Sequence, residues 1–296
     1  MNASTTKETA IKTGFLVVAL ASIVILAMIV VFLFREGLPI FRKVSVRDFL
    51  LGRYWYPTAD PPDFGIFPLI VGSVVVTLLS CVIAVPLGVL SAVYVSEIAG
   101  SRMKEILKPA IELLASLPSV VIGFFGMVVV APTLQEWFDI PTGLNVLNAS
   151  IMLALMAIPT ISSISEDALH GVRRELREAS LALGATRWET ISRVMIPAAL
   201  SGLSTAVILG MSRAIGETMV VLMVAGGAAA IPESIFDACR PMPASIAAEM
   251  AEAPFRGDHY HALFATGVVL FMMTLAFNLV ADMIAAKYKQ VGTATL

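Results

Sequence analysis

Two oppositely charged residues, Arg213 and Glu217, lie inside one of the most apolar parts of the sequence, and they are the only charges between Val194 and Pro232. A spacing of four residues puts both on one face of a helix. A charge at mid-bilayer costs about 2.5–3.5 kcal/mol, so such residues usually face a bundle interior or an aqueous cavity. The pair therefore predicts a polar site on a translocation path, where Arg213 would contact an anion. A buried structural ion pair is the alternative.

A second chemical feature is a polar insert, residues 173–189, which separates two apolar segments. Helical spacing recurs at four of its positions and predicts a helix with one apolar face: Val172, Leu176, Ala179 and Leu183. Gly184 can adopt positive φ and end that helix. Thr186 and Glu189 match a capping box, which predicts a second helix. Such an insert is shaped to dock a soluble partner, although a solvated loop is the alternative.

The composition predicts a multispanning membrane protein. The 296 residues are 58% hydrophobic and 14% charged, with a mean hydropathy of +0.87, whereas soluble domains carry about 25% charged residues. The net charge of −2 does not favour nucleic acid as a partner. Cys81 and Cys239 form no disulfide or metal pattern.

Six segments are long enough to cross a bilayer, since a span needs about 20 apolar residues. We therefore expect an all-α polytopic protein with six transmembrane helices and an uncleaved first helix. If the fifth begins after Pro197 and runs to about Ala225, it is a single helix about 42 Å long with Arg213 and Glu217 near its middle. The segments are residues 13–34, 64–96, 113–135, 140–165, 194–232 and 262–281.

The basic residues predict the orientation. With the N-terminus inside, the inner regions hold 12 Lys and Arg residues and the outer regions hold 7. We therefore expect both termini and the polar insert to be cytoplasmic. The first span stands apart, which divides the chain into residues 1–65, an N-terminal helix with an outer loop, and residues 66–296, a five-helix core.

The outer regions carry weaker signals. The run Tyr54-Trp55-Tyr56 is typical of a membrane–water interface. The run Asp258-His259-Tyr260-His261 suggests a metal site, but we favour a solvated loop and expect no metal.

No Gly-Lys dipeptide occurs anywhere in the chain, so a P-loop of the usual form is absent. If transport is driven by ATP, another chain must hydrolyse it.

The polar insert resembles the EAA motif of bacterial ABC-importer permeases. The resemblance rests on Glu178-Ala179-Ser180, then Gly184, then Val194-Met195-Ile196-Pro197, with Ser180, Val194 and Ile196 departing mildly from the family pattern. It implies the type I ABC-importer permease fold, in which this insert is a coupling helix seated on a cytoplasmic ATPase. The residues it assigns to ATPase coupling are Arg177, Glu178, Ala179, Ser180 and Gly184.

The stretch from Arg213 to Met219, continuing to Gly226, resembles the permeases of phosphate-specific importers, and its continuation is similar to their C-type subunit (PstC). The resemblance implies that Arg213, Glu217 and Thr218 belong to the phosphate path. The partners it implies are a second, A-type permease, a dimer of ATP-binding subunits and an extracytoplasmic phosphate-binding protein. ATP and Mg²⁺ would be used by the ATPase, and this chain would bind no cofactor.

We therefore expect a non-enzymatic permease subunit in a bacterial inner membrane, surrounded by lipid. A permease for another oxyanion, such as molybdate or sulfate, is the alternative within the class. A stand-alone channel or ion-driven carrier would leave the coupling motif unexplained. A membrane-embedded enzyme would need a nucleophile–base or metal constellation in the spans, and the few His and Cys residues are scattered.

Overall fold

In the computed structural model, which describes residues 2–289, long helices run back and forth between two ends of a bundle. Five helical stretches are long and apolar enough to cross a membrane, and a pair bent by 69°, residues 187–198 and 200–215, makes up to six. This confirms the all-α polytopic fold class. The helices are α1 Asn2–Gly37, α2 Val46–Leu51, α3 Phe67–Val93, α4 Ser101–Ser116, α5 Ser119–Phe125, α6 Ala131–Phe138, α7 Val146–His170, α8 Arg174–Ala182, α9 Arg187–Thr190, α10 Ile196–Ala198, α11 Leu200–Ile215, α12 Met219–Val224, α13 Met242–Glu249 and α14 Asp258–Lys289.

Shorter irregular elements link these helices. A 3-10 turn, Leu38–Arg42, follows α1, and an antiparallel hairpin pairs β1, Trp55–Tyr56, with β2, Asp63–Phe64. Three π-helical turns, Tyr94–Ile98, Gly126–Val130 and Ile191–Met195, follow α3, α5 and α9. We call the end with the hairpin and α13 the hairpin end, and the opposite end with α8 to α10 the insert end.

The predicted start of the third span, residues 113–135, is wrong. Helix α4 ends at Ser116, and a new helix, α5, begins at Ser119. The cause is Pro118, because a proline disfavours helical backbone in the residue before it. Leu117 accordingly has ψ 132°. The membrane-crossing stretch is therefore residues 119–138, and the charged helix α4 is separate from it.

The centre of the bundle is held by close helix contacts at glycines. A Cβ atom on Gly88 of α3 would lie 2.8 Å from Ile161 of α7, and one on Gly210 of α11 would lie 2.5 Å from the same side chain. Nearer the insert end, a Cβ on Gly202 would lie 2.4 Å from that of Ala168. The backbones of α3 and α11 thus pack directly on the Ile161 side chain of α7. Small residues permit this close approach of helices in membranes.

Residues on both sides of the predicted boundary at residue 65 share one buried cluster at the hairpin end. Phe49 and Trp55 from the first region pack with Ile66, Met242 and Leu263 from the second. The C-terminal part of α1 also packs along α14, where the rings of Phe32 and Phe264 meet edge to face. The division of the chain at residue 65 stays a prediction.

The hairpin end is organised around the carboxylate of Glu249 on α13. Its oxygens accept hydrogen bonds from Trp55 Nε1 at 3.0 and 3.1 Å and from Ser245 Oγ at 3.1 Å. It also pairs with Arg240 and lies 2.8 Å from His259 Nε2. Trp55 is 2% exposed and its N–H is satisfied inside the protein, whereas Tyr54 and Tyr56 are exposed. The placement of this run at a membrane–water interface stays a prediction.

The segment 258–261 is the first turn of α14 rather than the predicted solvated loop. Its two histidines have different partners, since His261 Nδ1 lies 2.7 Å from the carbonyl oxygen of Glu36. Asp258 forms an ion pair with Lys43 at 2.6 Å. Asp258, His259 and His261 thus each have a partner within the protein, which favours an ordered helix start over a solvated loop.

Replacing Glu249 with Ala should destabilise the hairpin end, because Trp55, Arg240 and Ser245 would lose a shared, largely buried acceptor. Removing one partner of a buried ion pair typically costs about 3 kcal/mol or more, which lowers Tm by about 5–10 °C in a protein of this size. Thermal unfolding of the purified protein in detergent measures the change. The exposed neighbour Glu252 provides the control, and a Glu249→Ala variant as stable as Glu252→Ala would contradict this role.

Candidate functional site

The segment that carries Arg213 and Glu217 is an interrupted helix, so the prediction of one continuous helix of about 42 Å is wrong. Helix α11 ends at Ile215, Gly216 follows, and the six-residue helix α12 begins at Met219. At 1.5 Å per residue, the 16 residues of α11 extend only about 24 Å. Beyond α12, Gly226 and Gly227 have φ of 88° and 71°, so the predicted segment to residue 232 is not helical there.

Glu217 lies in the break and caps α12. Its Oε1 accepts hydrogen bonds from the backbone N–H groups of Met219 at 3.2 Å and Val220 at 3.5 Å. A carboxylate in this position satisfies N–H groups that have no partner within the helix and interacts favourably with the helix dipole. Gly216, a poor helix former, and this competing acceptor explain why the helix stops. Arg213 and Glu217 therefore do not lie on one helix face, so that prediction is wrong.

Arg213 lies in the last turn of α11, next to the break, and its side chain is exposed in the single chain. Within residues 2–289, none of the ion pairs involves Arg213, so the alternative of a structural pair with Glu217 is wrong. Thr218 donates its hydroxyl to the Gly216 carbonyl oxygen at 3.3 Å. The three residues predicted for the path thus meet at one break, with the guanidinium as the group available to a ligand.

A polar face lies on α7 on the insert-end side of this break. Thr160, Ser163 and Asp167 are spaced three and four residues apart on one side of α7; Thr160 is half-buried, and Ser163 and Asp167 are exposed. Gly210 of α11 lies against Ile161, so Arg213 sits about one turn nearer the hairpin end than this contact. Thr160, Ser163 and Asp167 extend from the contact at Ile161 in the opposite direction, toward the insert end.

The exposed face of α3 is apolar by contrast. Leu78, Val82 and Leu90 are 49%, 69% and 62% exposed, as expected for side chains that face lipid. The polar face of α7 is therefore suited to water or to a second protein. This face was not predicted from the sequence, although Thr160, Ser163 and Asp167 recur at helical spacing at the end of an apolar segment.

The polar insert folds as the predicted helix–glycine–helix. Helix α8 ends in a Schellman motif, in which the N–H of Gly184 donates to Leu181 O at 3.0 Å and that of Ala185 to Ser180 O at 3.2 Å. Gly184 has φ of 86°, which confirms it as the stop. Thr186 and Glu189 form the predicted capping box, which starts α9.

Four of the five residues predicted for coupling lie on α8 and Gly184 follows it, but they do not all face outward. Glu178 and Ala179 are exposed, whereas Ser180 Oγ is 2.9 Å from Thr190 Oγ1 and ties α8 to α9 across the glycine. Arg177 turns toward the bundle, and its NH1 lies 3.0 Å from Glu97 Oε2. Their role in docking stays a prediction.

The tip of the insert presents uncovered apolar side chains. Leu183 is 90% exposed and Trp188 is 63% exposed. The residues of the predicted apolar face of α8 thus lie in two different environments. Leu183 is exposed, whereas Val172 packs into a buried cluster with Leu169 and Ile191.

The capping box should be sensitive to acid through Glu189. Hydrogen bonds from the backbone N–H and the hydroxyl of Thr186 lower the pKa of Glu189 from its ordinary value of 4.5. The carboxylate therefore stabilises the start of α9 above pH 4.5, and this contribution is lost as the pH falls through the lower, folded-state pKa. Amide hydrogen exchange at residues 186–190, corrected for intrinsic rates, should accelerate in that range.

The variant Glu189→Gln is the matched control, because Gln keeps the capping-box geometry but does not titrate. Its exchange should not change over the same pH range. An equal acid response in the variant and in the original chain would contradict the assignment to Glu189.

The sequence is similar to those of known permeases. Residues 84–290 match the family described as binding-protein-dependent transport system inner membrane component. The chain is 41% identical over 283 residues to the probable ABC transporter permease protein YqgH of Bacillus subtilis (strain 168), covering 94% of this chain and 92% of that protein. It is 34% identical over 254 residues to the phosphate transport system permease protein PstC of Mesorhizobium japonicum, covering 79% and 76%.

Solved structures share the fold. A bacterial alginate ABC transporter, in complex with an alginate-bound periplasmic protein, has a chain that aligns with a TM-score of 0.64 at 14% identity, covering 97% of this chain and 99% of that one. The MetNI methionine ABC transporter, in an inward-facing conformation, aligns with a TM-score of 0.57 at 21% identity, covering 76% and 94%. The chain therefore belongs to the binding-protein-dependent transport system inner membrane component family and has the fold of type I ABC-importer permeases.

Proposed function

We propose that this chain is one of two permease subunits of an ATP-driven importer of inorganic phosphate. The family match and the C-type phosphate permeases among its relatives support this proposal. The observation that carries it is the guanidinium of Arg213, exposed in the last turn of α11 next to the helix break. A guanidinium offers a rigid fork of donors that suits a tetrahedral oxyanion.

In this proposal, the path runs between this chain and a second, A-type permease. Phosphate arrives from an extracytoplasmic binding protein at the hairpin end, reaches Arg213, and leaves along Thr160, Ser163 and Asp167 toward the insert end. The negative charge of Asp167 would disfavour retention of the anion near the exit. Both termini and the insert lie in the cytoplasm, as the distribution of basic residues predicts.

Energy enters through the insert. A dimer of separate ATP-binding subunits binds ATP and Mg²⁺, and this chain performs no catalysis. The exposed surface of Leu183 and Trp188, together with Glu178 and Ala179, docks on that ATPase. Nucleotide-driven movement of the ATPase then displaces α8 and opens the path alternately to the two sides.

Arg213→Gln should lower phosphate uptake by about tenfold or more, because a charge-assisted hydrogen bond to the anion contributes about 1.5–3 kcal/mol. Glu217→Gln, which keeps an acceptor at the start of α12, should have a smaller effect through loss of the charge. Uptake of radiolabelled phosphate by reconstituted complexes measures both. Arg35→Gln, in the last turn of α1, is the matched control and should transport normally.

Unchanged uptake in both the Arg213 and the Glu217 variants would reject this path. Competition by sulfate and molybdate in the same assay distinguishes the alternative cargo. Stronger inhibition by either anion than by unlabelled phosphate would move the assignment to that oxyanion.

Gly184→Val should weaken ATPase docking without affecting membrane insertion. A Cβ at this position meets nothing within 4 Å, so the cost comes from the left-handed backbone and is about 1–2 kcal/mol. Co-purification of the ATP-binding subunits measures docking. Gly184→Asn is the control, because Asn tolerates this conformation, and equal loss of docking in both variants would contradict the conformational explanation.

A further inference from the structure

A buried carboxylate lies where the second span meets the insert end. Glu97 belongs to the π-helical turn Tyr94–Ile98 after α3, and its side chain is 4% exposed. One carboxylate oxygen, Oε1, accepts a hydrogen bond from Ser96 Oγ at 3.1 Å, and the other, Oε2, lies 3.0 Å from NH1 of Arg177. Because a buried charge requires a partner of opposite charge, the position of Glu97 depends on that of Arg177.

Three other elements converge at the same place. The carbonyl oxygen of Ser96 accepts a hydrogen bond from Lys104 Nζ of α4 at 2.8 Å, and Ser96 Oγ lies 3.4 Å from His170 Nδ1 at the end of α7. Arg177 is the contribution of α8. The end of α3 is therefore connected to α4 and α7 through Ser96, and to the insert through Glu97.

Helix α8 is otherwise weakly anchored to the bundle. None of its residues is buried, and the hydrogen bond between Ser180 and Thr190 lies within the insert. The ion pair is the one charged contact between α8 and the spans among the residues that the structure describes. A displacement of α8 must therefore either carry the end of α3 with it or leave the Glu97 carboxylate buried without its partner.

Movement of α3 has a direct route to the candidate path. Gly88 of α3 and Gly210 of α11 both pack tightly on Ile161 of α7, and Arg213 follows Gly210 by one turn of α11. A tightly packed interface transmits displacement rather than absorbing it. The end of α3 is thus mechanically connected to the break at residues 216–218.

From these observations we infer that the Arg177–Glu97 ion pair couples movement of the insert to α3, and that both are positioning residues of the transport cycle. The inference rests on the proposed function, in which the insert is moved by an ATPase. It gives Arg177, which the sequence assigns to ATPase coupling, a contact within this chain rather than with the ATPase itself.

The test compares four variants in reconstituted complexes of the two permeases and the ATP-binding subunits, supplied with the binding protein. They are Glu97→Gln, Arg177→Gln, the double exchange Glu97→Arg with Arg177→Glu, and Lys108→Gln. The last is the matched control, since Lys108 pairs with Glu166 at 3.4 Å at the same end without involving the insert. Phosphate taken up per ATP hydrolysed and co-purification of the ATPase are both measured.

Each single variant at residue 97 or 177 should bind the ATPase normally but transport about tenfold less phosphate per ATP, within the range of couplings between contacting residues. The double exchange should restore most of the phosphate transported per ATP hydrolysed, and Lys108→Gln should not change this ratio. A role confined to folding would instead lower the yield of assembled complex and leave the ratio intact in what remains.

Two results would overturn the inference. One is loss of ATPase co-purification in Arg177→Gln but not in Glu97→Gln, which would make Arg177 a docking residue. The other is a normal ratio in both single variants. A failure of the proposed function is distinguishable, because the unaltered complex would then not accumulate phosphate at all, whatever the state of the ion pair.

Discussion

A backbone N–H group inside a membrane must find an acceptor, because no water is there to replace a missing protein partner. The interruption of α11 at residues 216–218 exists only because this requirement is met locally. Glu217 supplies its carboxylate to the first N–H groups of α12, so one charged residue makes the break stable. The break in turn leaves Arg213 at a helix end, where its positive charge is favoured by the dipole of α11. The local arrangement at the candidate path follows from the placement of one acceptor.

The rest of the bundle holds that break in place. Close contacts at Gly88 and Gly210 bring α3 and α11 against one side chain of α7, Ile161. At the hairpin end, Glu249 gathers Trp55 from the outer loop, Arg240 from the segment after α12, and His259 from α14. The segment that leaves α12 is therefore anchored soon after the break. The candidate path is fixed on both sides by contacts that are independent of any ligand.

Features set by local chemistry were predictable from the sequence, and features set by distant contacts were not. The stop at Gly184 and the capping box of Thr186 and Glu189 depend on residues at most five positions apart, and both are present. The number and order of the apolar spans also followed from composition. The break between α4 and α5 at Pro118 could have been predicted from the general effect of proline on helices. The uncharged run around Pro118 led instead to the prediction of one continuous span.

The contacts of charged and aromatic side chains could not be predicted where the partner lies far away in the chain. Arg177 meets a carboxylate 80 positions earlier, and Trp55 meets Glu249, 194 positions later. The length of the fifth helix was overestimated because hydropathy does not register a glycine followed by an acidic residue as an interruption. The two carboxylates that organise the ends of the bundle, Glu97 and Glu249, were not selected because neither belongs to a recognisable site pattern.

The polar face of α7 has a consequence for the life of the subunit before assembly. A helix that presents Thr160, Ser163 and Asp167 on one side is poorly solvated by lipid, and each such group raises the free energy of the isolated chain in the bilayer. Covering that face with a second subunit or with water removes the penalty. A copy of the chain whose α7 face lies against lipid is therefore less stable in the bilayer than one whose face is covered.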